Sequence, residues 1–233
     1  MTKLLFIHIP KCGGTSIKKI KHPNLLNIDL IGVNNSAEHK DCTIECVPSE
    51  FKIFKSNRDK VNNKIGNFDN IRTFTFIREP YSRIYSVFKW ILNPLEENKI
   101  TPVPQRRRLI NTTTSSKRYM DINIKFNYFV KCIPNILFNH AGGYNNLKWH
   151  LEPQFKQINY NNQTIDYFLN FHKFESELKN LFEKYNIILE DGLPNVNKTN
   201  KNEHPKSLLD NDSIRIIENI YKKDFELWNS IGN

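Results

Sequence analysis

The sequence predicts an α/β fold with a P-loop-like central parallel sheet that is flanked by helices on both faces. Three observations support this prediction: apolar runs typical of buried strands, a glycine turn after the first run, and segments with helical apolar period between the runs. The chain has 233 residues, of which 39% are hydrophobic. This length suits one sizeable α/β domain, so we expect a single domain over residues 1–233.

The first predicted element is a buried strand, LLFIHI, at residues 4–9. The turn PKCGGTS follows it, and a helix is expected over residues 15–21. A strand, a tight glycine turn and a helix start bring several backbone N–H groups into one concavity, and the helix N-terminus adds partial positive charge. Such a site suits a phosphate or sulfate group. A plain strand-to-helix turn is the alternative, but it requires neither the lysine nor two glycines.

The residues of this turn have the chemistry of an anion site. The lysine adds a full positive charge, the two glycines let the backbone approach closely, and two hydroxyl groups add donors. The candidate anion-binding residues are Lys11, Cys12, Gly13, Gly14, Thr15 and Ser16.

The order of residues in the turn differs from that of the Walker A loop of nucleotide triphosphatases. That loop reads G-x-x-x-x-G-K-[ST], whereas here the lysine precedes the glycines. The shorter turn suits one phosphate-like group, and no strand-terminal aspartate is evident that would hold magnesium. The pattern therefore favours a metal-free reaction over phosphoryl transfer.

The second predicted strand, IRTFTFI at residues 71–77, ends at Arg78. Pro80 suits the first turn of the helix that follows, in which apolar residues recur at i, i+3, i+4 and i+7. Arg78 at the strand end and Ser86 on the helix are expected to contact one anion from two sides. The chain would then have two anion sites, which a ligand with two phosphate-type ends would bridge.

The remaining segments alternate between helix, strand and loop patterns. An irregular insertion with three prolines and the basic triplet RRR is expected over residues 93–118. The other predicted elements are a helix at 122–133, a loop at 140–154, a strand at 164–174, a helix at 175–187, a loop at 193–207 and a terminal helix at 212–231.

Charge and cysteine usage narrow the class of protein. Lys and Arg number 34 and Asp and Glu 24, a net charge of +10, which favours an anionic partner, although a compositional bias towards Lys and Asn is the alternative cause. A nucleic acid is not the expected anionic partner, because no nucleic-acid-binding motif is recognisable in the sequence. The four cysteines show no zinc spacing and are expected to be free thiols, with a disulfide between Cys42 and Cys46 as the alternative. No apolar stretch approaches the roughly 20 residues of a membrane span, and no signal-peptide cleavage site is evident, so we expect a cytoplasmic protein without an integral membrane segment.

The two anion motifs resemble the signatures of the sulfotransferases that use 3′-phosphoadenosine 5′-phosphosulfate (PAPS), in particular the carbohydrate, Golgi-type branch that includes heparan- and chondroitin-like sulfotransferases. In that family a P-K-[TC]-[AG]-G-[TS]-S turn binds the 5′-phosphosulfate, and R-[DEN]-P-[YFW]-x-R-x-x-S-x-[YF] binds the 3′-phosphate. The segments HLEPQ (150–154), VNKT (196–199) and IYKKDFELWNSIG (220–232) resemble further family patterns. Leu151 replaces the usual tryptophan, and the insertion matches no family pattern.

The resemblance implies transfer of a sulfuryl group from PAPS, as co-substrate, to a hydroxyl of a carbohydrate or glycan by metal-free in-line displacement. It implies that Lys11, with the backbone N–H groups of residues 13–16, stabilises the leaving group. Arg78 and Ser86 would hold the 3′-phosphate, and Lys198 and Thr199 are further candidate donor contacts. Arg83 is expected to brace the Arg78 loop.

The candidate general bases, in order of preference, are His39, His150, Glu38 and Glu45. Two other functions stay open at this point: a nucleotide kinase or triphosphatase, and a non-catalytic relative that binds the desulfated nucleotide (PAP) or a glycan. The presence of Lys11 argues against the non-catalytic relative. The acceptor, the position sulfated and the oligomeric state are not specified by the donor motifs.

Overall fold

Four short parallel strands form a sheet in the order β2–β1–β3–β4 in a computed structural model of the chain. The structure describes residues 2–27, 68–96, 121–138, 145–159, 162–189 and 204–232. The strands are β1 (Lys3–Phe6), β2 (Leu25–Asn27), β3 (Ile71–Ile77) and β4 (Tyr167–Asn170). The predicted α/β class with a central parallel sheet is therefore confirmed.

The strand order reverses at β1: β2 lies on one side of this strand, and β3 and then β4 lie on the other. This strand pairs in parallel with β2 on one side, where Leu4 lies opposite Leu25, and with β3 on the other, where Leu4 lies opposite Arg72. In an open parallel sheet, ligands bind outside the carboxyl ends of the strands at the point of such a reversal. The segments that follow β1 and β3 therefore occupy the position at which this architecture places a binding site.

Helices occupy most of the described chain outside the sheet. The α-helices are α1 (Gly14–Ile17), α2 (Pro80–Glu96), α3 (Ile122–Phe138), α4 (Asn145–Leu151), α5 (Gln154–Ile158), α6 (Phe174–Lys184), α7 (Asn211–Ile220) and α8 (Lys222–Ser230). Short 3₁₀ turns are found at Phe68–Asn70, Phe171–Lys173 and Pro205–Leu208.

The chain divides into two compact units. The first comprises Met1–Arg78, Gln154–Thr199 and Glu226–Asn233, and it contains the sheet. The second comprises Glu79–Pro153 and Asn200–Phe225. The single domain expected from the sequence stays a prediction.

The core of the first unit forms around the sheet. Leu4, Leu5 and Phe6 are consecutive in β1 and all completely buried, so both faces of this strand are covered. In β3, Phe74 and Phe76 are also completely buried. A continuous apolar run is what a strand of a doubly covered parallel sheet requires, and this explains why the sequence predicts both strands.

The core of the second unit forms between helices. The apolar face predicted for α2 is buried, and so is the matching face of α3. The helix α2 begins at Pro80, and the Glu79 carboxylate accepts hydrogen bonds from the backbone N–H groups of Tyr81 (3.0 Å) and Ser82 (2.7 Å). Pro80 has no N–H of its own, so Glu79 satisfies the next two donors of the first turn. The buried residues of this core are Tyr81, Ile84, Val87, Phe88, Ile91, Leu92, Phe126, Phe129, Val130, Ile133, Ile136, Leu147, Leu151, Ile217 and Tyr221.

The terminal helix predicted at 212–231 is divided into α7 and α8 at Tyr221. The Tyr221 hydroxyl donates a hydrogen bond to the carbonyl oxygen of Leu151 at 2.7 Å. Complete burial raises the pKa of Tyr221, so the hydroxyl keeps its proton and remains a donor. The helix periodicity is continuous in sequence, and the break follows from this tertiary contact.

Other boundaries also differ from the predictions. The strand β1 ends at Phe6 although Ile7 and Ile9 remain buried, because the chain leaves the ladder to form the glycine turn. The strand β2 was not predicted, since three residues carry no periodicity. The loop predicted at 140–154 contains α4 and the start of α5. The insertion predicted from residue 93 begins later, because α2 continues to Glu96. Residues 97–118 of that insertion lie outside the described residues.

Within the described ranges, no helix has the length and apolar character that crossing a membrane requires.

The first testable prediction concerns the start of α7. The Asp210 carboxylate accepts from the Ser213 backbone N–H at 2.8 Å and pairs with Lys131 Nζ at 2.7 Å. The hydrogen bond from Lys131, followed by that from Ser213, lowers the pKa of Asp210 to about 2. Replacement of this N-cap, Asp210→Ala, should lower the free energy of unfolding at neutral pH by about 1 kcal/mol.

Because the folded-state pKa of Asp210 is below its ordinary value of 3.8, this stabilisation is present above that value and is lost as the pH falls towards about 2. Urea denaturation of both chains across the acidic range measures the difference. Asp212→Ala is the control, since Asp212 lies in the same first turn but is exposed and forms a surface ion pair with Arg215 at 3.6 Å. An Asp210→Ala effect that is constant down to about pH 2 would contradict the cap assignment.

Candidate active site

The turn that follows β1 contains two residues with left-handed backbone. Lys11 has a φ of 69° and Gly13 a φ of 90°. The Cys12 N–H donates to the Ile9 carbonyl at 3.1 Å. Positive φ is uncommon for a lysine and persists only where neighbouring contacts hold it. The shape of this turn therefore depends on residues from other parts of the chain.

The donors in the turn are fewer than the sequence predicts. The N–H groups of Ser16 and Ile17 both donate to the Gly13 carbonyl, at 3.0 and 3.2 Å, so the Ser16 N–H belongs to the local helix and not to an anion site. The helix α1 spans only Gly14–Ile17, whereas a helix over 15–21 was predicted, so its dipole is smaller than expected. Within the described chain, the backbone N–H groups of Gly13, Gly14 and Thr15 donate to no acceptor.

The Ser16 hydroxyl is the clearest sign that this turn accommodates a polar ligand. Ser16 is 1% exposed, and among the described residues its Oγ has no hydrogen-bond partner. A buried hydroxyl without a partner costs about 1–3 kcal/mol. An anionic group bound at the turn would remove that cost by accepting this hydrogen bond.

Both glycines of the turn are required by close packing. A Cβ at position 13 would lie 2.7 Å from Cε2 of Phe174. A Cβ at position 14 would collide with the imidazole ring of His8. The ring of Phe174 stacks on Phe76 with centroids 4.4 Å apart, so it cannot withdraw freely. The turn is therefore covered by side chains that leave room only for glycine.

Arg78, the residue after β3, lies against this turn. Its Nη1 donates to the Lys11 carbonyl at 3.0 Å, and its guanidinium carbon lies 4.6 Å from the centroid of the Phe171 ring. Arg78 is only 9% exposed. The structure thus brings together two of the predicted site residues, Lys11 and Arg78, from the ends of neighbouring strands.

Gln154 connects the same two segments and was not predicted as a site residue. It is completely buried, and its Oε1 accepts from the Arg78 backbone N–H at 2.9 Å and from the Cys12 thiol at 3.2 Å. Its Nε2 donates to the Arg78 carbonyl at 2.8 Å. The segment HLEPQ resembles a family pattern and contains this glutamine, which was the signal available in the sequence.

Ser86 and Arg83 belong to the second unit, where both lie on α2. Ser86 is half-buried. Arg83 is completely buried, and its Nη2 donates to the carbonyls of His150 and Glu152, both at 2.9 Å. These two bonds of Arg83 brace the end of α4, and its expected role in bracing the Arg78 loop stays a prediction.

His150 also belongs to the second unit, in the last turn of α4. Its ring stacks on Trp90 with centroids 4.3 Å apart and an interplanar angle of 10°, and Trp149 meets it edge to face at 5.2 Å. These contacts fix the imidazole ring, and its role as a general base stays a prediction. His39, Lys198 and Thr199 lie outside the described residues, so their predicted roles are also unchanged.

The fold and the turn together are typical of α/β proteins that bind phosphate or sulfate groups at the carboxyl ends of parallel strands. A model of the sulfotransferase family matches residues 1–229, so the chain belongs to that family. It is therefore an enzyme that transfers a sulfuryl group to an acceptor hydroxyl. No curated protein and no solved structure gives a match.

The second prediction tests the packing of the turn. Gly13→Ala should lose about 1–2 kcal/mol of stability from left-handed backbone and about 1–3 kcal/mol more from the contact with Phe174. Gly232→Ala is a matched control, because Gly232 also has positive φ (76°) but has open space at its Cβ position. Urea denaturation should show a clearly larger loss for Gly13→Ala. Equal losses would mean that Phe174 does not restrict the turn.

Proposed function

We propose that this sulfotransferase moves the sulfuryl group of PAPS to a hydroxyl of a carbohydrate or glycan acceptor, without a metal ion. The observation that carries the proposal is the hydrogen bond between Arg78 and the Lys11 carbonyl. It joins a lysine-containing glycine turn after β1 to an arginine after β3. Lys11 and Arg78 follow adjacent strands at the position where the strand order reverses. Two cationic residues there suit a donor that carries a phosphate at each end.

The residues of the turn fit the 5′-phosphosulfate end of such a donor. The N–H groups of Gly13, Gly14 and Thr15 and the buried Ser16 hydroxyl supply donors, and the close packing at both glycines holds the backbone of the turn in place. Lys11 supplies the positive charge. A turn of this length accommodates one phosphate-like group.

In the reaction, a new bond forms between the acceptor oxygen and sulfur while the bond between sulfur and the 5′-phosphate oxygen breaks. The electron pair of that bond leaves with the phosphate oxygen, so negative charge develops there. Lys11 and the backbone N–H groups of the turn stabilise this charge. The acceptor hydroxyl gives its proton to a general base, and the products are PAP and the sulfated acceptor.

Arg78 and Ser86 hold the 3′-phosphate and act by fixing the pose of the donor. A guanidinium carries five N–H donors, so the bond to the Lys11 carbonyl and a contact with phosphate are compatible. Lys198 and Thr199 are proposed as further donor contacts. His39 is the first candidate for the general base and His150 the second, because an imidazole accepts a proton near neutral pH.

The proposed carbohydrate acceptor rests on the family branch that the motifs resemble. The net charge of +10 additionally favours an anionic glycan. A labelled-donor screen of neutral and anionic glycans, lipids and peptides would identify the acceptor class.

The third prediction is that the 3′-phosphate contributes to binding through Arg78. Calorimetry in EDTA should show PAP binding roughly tenfold to a hundredfold more tightly than adenosine 5′-phosphate, because hydrogen bonds to charged groups contribute about 1.5–3 kcal/mol. Arg78→Lys should reduce this ratio, since an ammonium does not reproduce the guanidinium fork. A change in the turn would alter the affinities for both nucleotides equally. The ratio of the two affinities therefore reports the contact with the 3′-phosphate alone.

Arg72→Lys is the matched control, because Arg72 is an exposed arginine of the same strand that donates to the Asp69 carbonyl. It should leave the PAP ratio unchanged. Equal affinities of the wild-type chain for the two nucleotides would refute the PAPS proposal, and binding that requires magnesium would refute its metal-free form.

The fourth prediction concerns the leaving group. Lys11→Ala should lower kcat by about 10²–10³, the usual cost of one donor that stabilises developing charge. Lys18→Ala, an exposed lysine at the end of α1, should leave kcat unchanged. Steady-state kinetics at saturating PAPS measures kcat for the two variants, and single-turnover kinetics measures the rate of the transfer step itself. A Lys11→Ala chain with the full rate would remove Lys11 from this role while leaving the PAPS proposal intact.

A further inference from the structure

The side-chain amide of Gln154 bonds to both the N–H and the carbonyl of Arg78, as a neighbouring strand would do. The ladder between β3 and β4 ends at the pair Ile77 and Asn170. One residue later, the Gln154 amide receives the Arg78 N–H at 2.9 Å and donates to the Arg78 carbonyl at 2.8 Å. Both peptide groups around the Arg78 Cα are thereby fixed, and with them the direction in which its side chain leaves the backbone.

The same amide also reaches the glycine turn. Its Oε1 accepts from the Cys12 thiol at 3.2 Å, and Arg78 Nη1 donates to the carbonyl of Lys11, the residue before Cys12. Lys11, Cys12, Arg78 and Gln154 are thus connected by hydrogen bonds that join the segments after β1 and β3. Lys11, whose backbone is left-handed with a φ of 69°, is one of these residues.

We propose that Gln154 is a positioning residue for the nucleotide site: it sets the position of Arg78 relative to the Lys11 turn. This inference rests on the proposed function and adds a residue to its site. Gln154 does not touch the donor; it acts through Arg78 and Cys12. A completely buried amide is costly unless its hydrogen bonds are made, and here both amide ends are used on the two segments that the donor would contact.

The experiment compares two buried glutamines of the same helix, Gln154 and Gln157. Gln154→Met keeps the side-chain length and removes the three hydrogen bonds described above. PAP affinity by calorimetry should fall at least roughly tenfold, and kcat/KM with PAPS should fall about 10²-fold, because small displacements of positioning groups carry costs of this order. Gln157→Met should lower the melting temperature to a similar degree yet keep the Kd for PAP within about twofold of wild type.

A second variant, Gln154→Glu, keeps the proposal falsifiable if Gln154→Met does not fold. An ionised carboxylate accepts from Arg78 N–H but cannot donate to the Arg78 carbonyl, whereas a protonated carboxyl does both. Burial raises the pKa of a carboxyl group, so PAP affinity relative to wild type should recover as the pH falls from about 8 to about 5. Among the described residues, the Cys12 thiol donates to this amide and the Arg78 backbone bonds to it. The Arg78 guanidinium favours the ionised carboxylate and so acts against the effect of complete burial.

Comparison with the wild-type chain at each pH removes the titration of the nucleotide itself, and Gln157→Glu should show no such recovery. Gln154→Met with a lowered melting temperature but an unchanged Kd for PAP would overturn the inference, because Gln154 would then be a packing residue only. A Gln154→Glu chain that folds and binds PAP as tightly as the wild type at about pH 8 would also overturn it, because an ionised carboxylate cannot donate to the Arg78 carbonyl. A wild-type chain that does not bind PAP at all would overturn the proposed function and this inference with it.

Discussion

The hydrogen bond from Arg78 Nη1 to the Lys11 carbonyl is the interaction on which the site depends. It connects the segments that follow two adjacent parallel strands, beyond Phe6 and Phe74, the last residue pair of their ladder. The carbonyl that accepts it belongs to a lysine with left-handed backbone. Because that conformation is unfavourable for a residue with a side chain, the arginine stabilises the turn as well as adding charge to it. Phe171, which packs under the guanidinium, limits the directions that Arg78 can take.

Close packing and open donors coexist in the glycine turn. Side chains from the segment after β1 and from the start of α6, those of His8 and Phe174, pack against the two glycines and hold the backbone in place. Meanwhile the N–H groups that face away from the local helix, and the buried Ser16 hydroxyl, have no acceptor in the described chain. A rigid backbone with unsatisfied donors is preorganised for an anion, because the donors need not reorganise when charge develops.

Much of the site could be predicted because its parts are local in sequence. The glycine turn, the strand over residues 71–77 and the buried face of α2 each follow from spacing and residue type within a short window. Gln154 could not be assigned in this way, since its role depends on hydrogen bonds to residues 76 and 142 positions away in the chain. The same reason explains the division of the terminal helix at Tyr221, whose hydroxyl bonds to a carbonyl 70 positions earlier.

The amino-acid sequence by itself determined the α/β class, the candidate anion-binding residues Lys11 and Arg78, and membership in a family of sulfuryl-transferring enzymes. The α/β class and the two cationic positions follow from the local preferences of apolar runs, glycines and charged residues, whereas the family membership follows from the motifs and from the family model that matches residues 1–229. Only the tertiary structure decided that β1 and β3 are neighbours, that Arg78 bonds to the Lys11 carbonyl, and that a buried glutamine connects the two segments. The physical reason is that strand pairing and buried hydrogen bonds join residues far apart in the chain, and no local pattern encodes which partners meet.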